Sequence, residues 1–188
     1  MRRVLLPCIG LALLVAPAGA TAQPTSADKS NAAKECRSER GGTAATREAF
    51  RVKYGTNKNG KNAFGKCVSK RSRAEESQRE TSGQNAAKAC KAERAADAAA
   101  FALKYGTNKN GKNAYGKCVS AKAKEGKAKS DTKDAQKIKQ VKSAAKSCAT
   151  ERKSMGADAF ADKYGTNESK SNAFGKCVST QAKAKSNA

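Results

Sequence analysis

The chain has no histidine and no tryptophan among its 188 residues. Without histidine, the commonest general base and the commonest metal ligand are both missing. No two cysteines stand as C-x-x-C, so the close thiolate pairs of zinc sites are absent too. Nucleophilic catalysis by Ser or Cys would lack its usual base, and no Ser–Lys pair stands out. Acidic residues number 16 against 39 lysines and arginines. Large apolar residues are few, because the hydrophobic fraction of 38% is mostly alanine. One large core over the whole length is not expected. These absences argue against an enzyme, and no catalytic residue, cofactor or metal site is expected.

Only one long apolar run occurs, from Val4 to about Val15. Met1-Arg2-Arg3 precedes it. Small residues follow it, and both Ala18-Gly19-Ala20 and Ala20-Thr21-Ala22 fit an A-x-A cleavage site. This is the layout of a secretory signal peptide over residues 1–22. An uncleaved anchor is the alternative, but the run is shorter than the roughly 20 residues a bilayer span needs. Arg2-Arg3 also fits a twin-arginine signal, on two residues alone. The expected location is secreted or extracellular, or periplasmic in association with the cell envelope. No transmembrane segment is expected after cleavage.

Six cysteines then remain beside Cys8 of the signal: Cys36, Cys67, Cys90, Cys118, Cys148 and Cys177. An even number in an exported chain reads as disulfides. They fall in three copies of one unit. Each copy opens with Ala-Ala-Lys-x-Cys-x-x-Glu-Arg, at Ala32–Arg40, Ala86–Arg94 and Ala144–Arg152. Each ends with Lys-Tyr-Gly-Thr-Asn, four variable residues, and Asn-Ala-aromatic-Gly-Lys-Cys-Val-Ser, at Lys53–Ser69, Lys104–Ser120 and Lys163–Ser179. The spacing between the halves varies, which a loop absorbs and a continuous helix does not. The second copy is therefore broken near Ala95 to Asp97.

Each copy reads as three short helices. Gly55, Gly106 and Gly165 suit the left-handed position after the second helix. Asn62, Asn113 and Asn172 suit the N-cap of the third. Gly65, Gly116 and Gly175 lie inside that third helix, where a close helix crossing would explain them. All nine aromatics occupy repeat positions and form the expected core: Phe50, Tyr54 and Phe64; Phe101, Tyr105 and Tyr115; Phe160, Tyr164 and Phe174. Units of under 40 residues need a staple. Pairing Cys36–Cys67, Cys90–Cys118 and Cys148–Cys177 makes each copy self-sufficient. Pairing between neighbouring copies is the alternative and would give one compact body.

The expected fold is all-α: three tandem disulfide-stapled mini-domains of three short helices each, joined by Lys-rich flexible linkers. The expected order is a flexible leader at 23–30, repeats at 31–69, 85–120 and 141–179, linkers at 70–84 and 121–140, and a polar tail at 180–188. The linkers read as solvated chain or loose helix.

The Thr56–Asn62 loop has a superficial likeness to a calcium loop, but it offers neutral amides and lysines where an EF-hand supplies carboxylates. One acid recurs in every copy: Glu39, Glu93 and Glu151. Acid–base chemistry of the paired kind needs a second carboxylate. An ion pair with Lys53, Lys104 or Lys163 is expected instead. The net charge of +23 falls only by two with Arg2 and Arg3. Such a charge attracts polyanions.

The unit, Ala-Cys-x-x-Glu-Arg followed by Tyr-Gly-Thr-Asn and Asn-Ala-Phe-Gly-Lys-Cys-Val-Ser, resembles a motif of uncharacterised secreted bacterial repeat proteins. That resemblance covers the three repeats. It implies export and carries no assigned activity. The leading expectation is a non-enzymatic, multivalent binder of anionic cell-surface or extracellular polymers or acidic surfaces, without a dedicated small-molecule substrate. The alternative is a structural or stress-related extracellular protein whose charge only keeps it soluble. An enzyme of unknown type comes last.

Overall fold

Thr25 and Asp28 start the first helix by a reciprocal capping box: Thr25 Oγ1 accepts from the Asp28 N–H, and Asp28 Oδ2 accepts from the Thr25 N–H. The computed structural model describes residues 23–186. The expected signal peptide at 1–22 lies outside them, as do the last two residues of the expected tail. Among the described residues there are seven helices and no strand: α1 (Ser26–Arg40), α2 (Ala44–Tyr54), α3 (Ala63–Ala96), α4 (Ala98–Tyr105), α5 (Ala114–Met155), α6 (Ala157–Tyr164) and α7 (Ala173–Ala184). Because of the Thr25 cap, most of the expected flexible leader is already helical. Most of the expected polar tail is helical too, continuing α7 to Ala184.

Three disulfides lie within the chain: Cys36–Cys67, Cys90–Cys118 and Cys148–Cys177. Their Cα separations of 6.0, 6.0 and 6.1 Å suit a bridge. Each closes one copy, and all six cysteines are fully buried. Around them the aromatics gather. Phe50, Tyr54, Phe101, Phe160 and Phe174 are buried, while Phe64, Tyr105, Tyr115 and Tyr164 are half-buried beside them. Within each copy the Phe and Tyr of the second helix stand one turn apart, with ring centroids 4.9 to 5.0 Å from each other. The break in the second copy falls at Asp97, whose carboxylate accepts from the Ala100 N–H and caps α4.

The largest difference from the expected architecture concerns the linkers. Residues 70–84 lie inside the 34-residue α3, and residues 121–140 inside the 42-residue α5. At 1.5 Å per residue these helices run about 50 and about 60 Å. They lie antiparallel along each other: Gln78 donates to Asp134 at 2.7 Å, Lys127 lies 2.6 Å from Glu75, and Gly126 meets Ser82. A Cβ on Gly126 would stand 3.1 Å from Ser82 Oγ, so the two helices approach closely there. Helix α1 runs along α3, and α7 along α5. The segments are thus structured by packing, although their composition reads as solvated chain.

The copies also meet. Ala49 of α2 enters the core of the third copy with Ala145, Cys148 and Val178. Arg152 donates to both carboxylate oxygens of Glu48, at 2.7 and 2.8 Å. Val52 lies over Gly175 so closely that a Cβ there would stand 2.6 Å from Val52 Cγ1. The expected close crossing at the third-helix glycine therefore exists at Gly175. At Gly65 and Gly116 a Cβ would meet nothing within 4 Å. The first and third copies sit together at one end of the α3–α5 pair, and the second stands alone at the other. There Leu103, the counterpart of Val52, is 87% exposed.

Two backbone expectations are corrected. Gly55, Gly106 and Gly165 are extended, with φ of −69°, −71° and −72°, not left-handed. They are needed for closeness instead: a Cβ would stand 2.4 to 2.6 Å from the carbonyl oxygen four residues earlier. Within these loops the positive-φ residues are Gly60, Gly111 and Lys170, deeper in the turn. Asn62, Asn113 and Asn172 begin the third helices in helical conformation and cap no N–H of them. Their side chains turn back into the loop. Asn62 Oδ1 accepts from the Thr56 N–H, and its Nδ2 donates to Thr56 Oγ1; the same pair of bonds recurs at Asn113 and Asn172.

Candidate anion-binding surface

Each copy has one polar station, built from four positions on three helices. In the first copy Lys53 Nζ and Tyr54 OH donate to the two oxygens of Glu39. Lys104 and Tyr105 likewise donate to Glu93, and Lys163 and Tyr164 both donate to Oε1 of Glu151. The expected ion pairs are all present. Sequence reasoning missed the fourth member, four residues after the second cysteine. Arg71 donates to Glu39 at 2.6 Å, Lys122 lies 3.3 Å from Glu93, and Gln181 donates to Glu151. The signal was available, because each copy has a hydrogen-bond donor at that offset.

The stations differ in burial. Burial opposes ionisation of Glu39, but Lys53 and Arg71 outweigh it and hold the carboxyl below the usual range. Glu93 is lowered chiefly by the bond from Lys104, and Glu151 by the bond from Lys163. Burial, aided by the Glu39 charge, pushes the Tyr54 hydroxyl up. Glu39 ties α1 to α2 and α3, Glu93 ties α3 to α4 and α5, and Glu151 ties α5 to α6 and α7. Every oxygen of the three is engaged by a donor or cation. Among the described residues no group of three or more His, Cys, Asp or Glu is placed to hold a metal ion.

Four further acids turn inward, while Glu80, Asp97, Glu125, Asp131, Asp158, Asp162 and Glu168 are exposed. Asp28, Glu75 and Glu76 are buried between α1, α3 and α5, and Glu35 is half-buried beside them. Arg71 bridges Glu35 and Glu39, each at 2.6 Å, and Arg79 reaches Asp28 at 3.4 Å. Burial raises the Glu35 carboxyl despite Arg71 opposing it. Asp28 is buried as well, yet the Thr25 N–H and hydroxyl together with Arg79 bring it below its ordinary value.

The cations turn outward. On α5 Lys124, Lys129, Lys133, Lys139, Lys146 and Lys153 are exposed and have no carboxylate partner among the described residues. The folded surface is therefore more one-sidedly basic than the composition states.

One cleft concentrates this charge. It lies in the first copy, with a volume of about 450 Å³. Arg40, Arg47, Arg51 and Lys61 surround it, over Ala44, Phe50, Ala63 and Phe64. The Arg40 guanidinium stands 5.9 Å from the Phe64 ring centroid. No acidic residue lines it. A larger groove of about 690 Å³ runs between the first and third copies, with Val52, Val141 and Val178 beside Lys53, Lys176 and Lys183. There Lys53 is already committed to Glu39.

Comparison with family models, with curated proteins and with solved structures finds no match to this chain. No helix among the described residues is long and apolar enough to cross a membrane.

Proposed function

We propose that the protein is an exported, non-enzymatic binder of anionic polymers, built of three stapled modules on a helical rod. The observation that carries this reading is the unequal exposure of charge: Asp28, Glu35, Glu39, Glu75 and Glu76 turn into the helix interfaces, whereas nearly all of the lysines face solvent and far outnumber the exposed acids. A surface charged with one sign raises the local concentration of a polyanion and gains free energy by releasing its counterions. Because residues 70–84 and 121–140 are helical, the cations stand at fixed intervals along the rod. Multivalency then needs a polymer long enough to engage several of them at once. The N-terminal signal layout and the disulfides support export to the envelope or beyond.

The test is a titration of the oxidised protein against anionic and neutral polysaccharides over a salt series. Binding to the anionic polymer alone, with log Kd rising linearly with log salt, is expected. Equal binding to neutral polymer, or no binding at moderate salt, leaves the charge with a solubility role only.

A further inference from the structure

We infer that the cleft of the first copy is a binding site for an anionic sugar unit, a pyranose ring carrying a phosphate or a carboxylate. This rests on the polyanion reading above and names the group that such a polymer presents.

The arginines divide into those held by carboxylates and those left free. Arg71, Arg79 and Arg152 have carboxylate partners. Among the described residues Arg37, Arg40, Arg47, Arg51, Arg73 and Arg94 have none. Three of these line one cleft, joined there by Lys61. Gathering like charges is unfavourable unless an anion comes between them. Guanidinium forks suit carboxylate and phosphate oxygens in pairs, which a lysine ammonium does not match.

The floor adds the second half. Phe50, Ala63 and Phe64 form an apolar base beneath the cationic rim. A bare ion uses the rim alone, whereas a ring with an apolar C–H face uses both. The volume of about 450 Å³ lies within the range of small-molecule pockets, roughly 300–1,000 Å³, and has room for one sugar unit.

The other copies show that the fold does not require these charges. Arg47 and Arg51 correspond to Ala98 and Ala102 in the second copy and to Ala157 and Ala161 in the third. The third copy's Arg152 is held by Glu48. Gly60, with φ +64°, lets the Arg51 stem lie across the loop, and Ala102 does the same over Gly111. The double substitution Arg47→Ala/Arg51→Ala therefore gives the first copy the residues with which the second already folds.

The test uses the full oxidised chain, titrated by amide NMR with glucose 6-phosphate, glucuronate, glucose and inorganic phosphate. Lys133→Ala/Lys139→Ala on the exposed face of α5 is the charge-matched control. At least one anionic sugar should shift the amides of Arg47–Arg51 and Ala63–Phe64. Which of the two does so distinguishes a phosphate from a carboxylate source. The Arg47→Ala/Arg51→Ala variant should weaken that binding tenfold or more, and the control by less than twofold. Inorganic phosphate binding as tightly as glucose 6-phosphate would overturn the proposal, as would equal weakening by the control. Polymer binding is followed in parallel. If both variants retain it equally, the cleft proposal fails and the polyanion reading stands. If the wild type shows none, the polyanion reading itself fails.

Discussion

The second copy stands alone at its end of the rod, and this makes its disulfide the most informative bond to remove. Its core is Phe101, Ala114 and the cystine, with Tyr105, Tyr115 and Val119 half-buried around them. No other copy covers it, and Leu103 points to solvent. Cys90–Cys118 closes a sequence separation of 28 residues, for which the chain-entropy relation gives about 3.6 kcal/mol. Cys90→Ser/Cys118→Ser should therefore let α4 and the adjoining helix ends open locally. At 1.4 kcal/mol per tenfold, amide protection over Phe101–Tyr105 should drop about 400-fold. In the first copy the separation is 31 residues and the entropic loss is similar. There, however, α2 is also held by Ala49 in the third copy's core and by the Glu48–Arg152 pair. After Cys36→Ser/Cys67→Ser, protection of Phe50–Tyr54 should stay at least tenfold above that of Phe101–Tyr105 in the other variant. Native hydrogen exchange by NMR reads both. Equal losses in the two copies, or none in the second, would refute the reasoning that the second copy is held by its own staple alone.

Other consequences follow from the same asymmetry. Ala49 is buried, whereas its counterpart Ala100 is exposed, so Ala49→Glu should cost about 2–3 kcal/mol and Ala100→Glu less than about 0.5, read from denaturant midpoints. Gly116→Ala, in open space on a helix, should stabilise by up to about 1 kcal/mol. Gly175→Ala should instead destabilise, because its Cβ would drive into Val52. The Glu39 carboxyl is lowered by folding, so its contribution is full above its unfolded value and is lost as pH falls through its folded value. Glu39→Gln should therefore flatten the fall in stability below about pH 4.5, measured by thermal melts from pH 7 to 3.

The three cystine-centred cores could be read from the sequence because they are made of large apolar side chains at helical spacing. Phe50 and Tyr54, then Phe64, Cys67 and Val68, leave little choice of face. The rod could not be read in the same way. Its α3 side meets its neighbours through Ser72, Glu75, Glu76, Ser82 and Ala86, and these read as solvated residues. A buried stripe of small and charged residues carries no hydrophobic period. Within the supposed linker Ile138 alone is a buried residue of α5, and the apolar stripe of Val141, Ala144, Ala145 and Cys148 begins only in the third repeat. Local preference places Asn62 as a cap and Gly55 as a left-handed residue, but the loop sets their roles: Asn62 bonds back to Thr56, and at Gly55 the Arg51 carbonyl and the Gly60 Cα leave no room for a Cβ. The basic cleft is illegible in the sequence for another reason. Arg47 and Arg51 lie outside the shared motif, and only the fold brings them beside Arg40 and Lys61.

The most direct test of the central claim compares oxidised protein with its reduced, alkylated form in the same anionic-polymer titration over a salt series. Folding turns Asp28, Glu39, Glu75 and Glu76 inward and holds the lysines out, whereas unfolding exposes both signs together. The oxidised form should bind more tightly at every salt concentration, with the gap widest for polymers long enough to span the rod. Coincident binding curves for the two forms would contradict the claim, since charge composition alone would then account for the affinity.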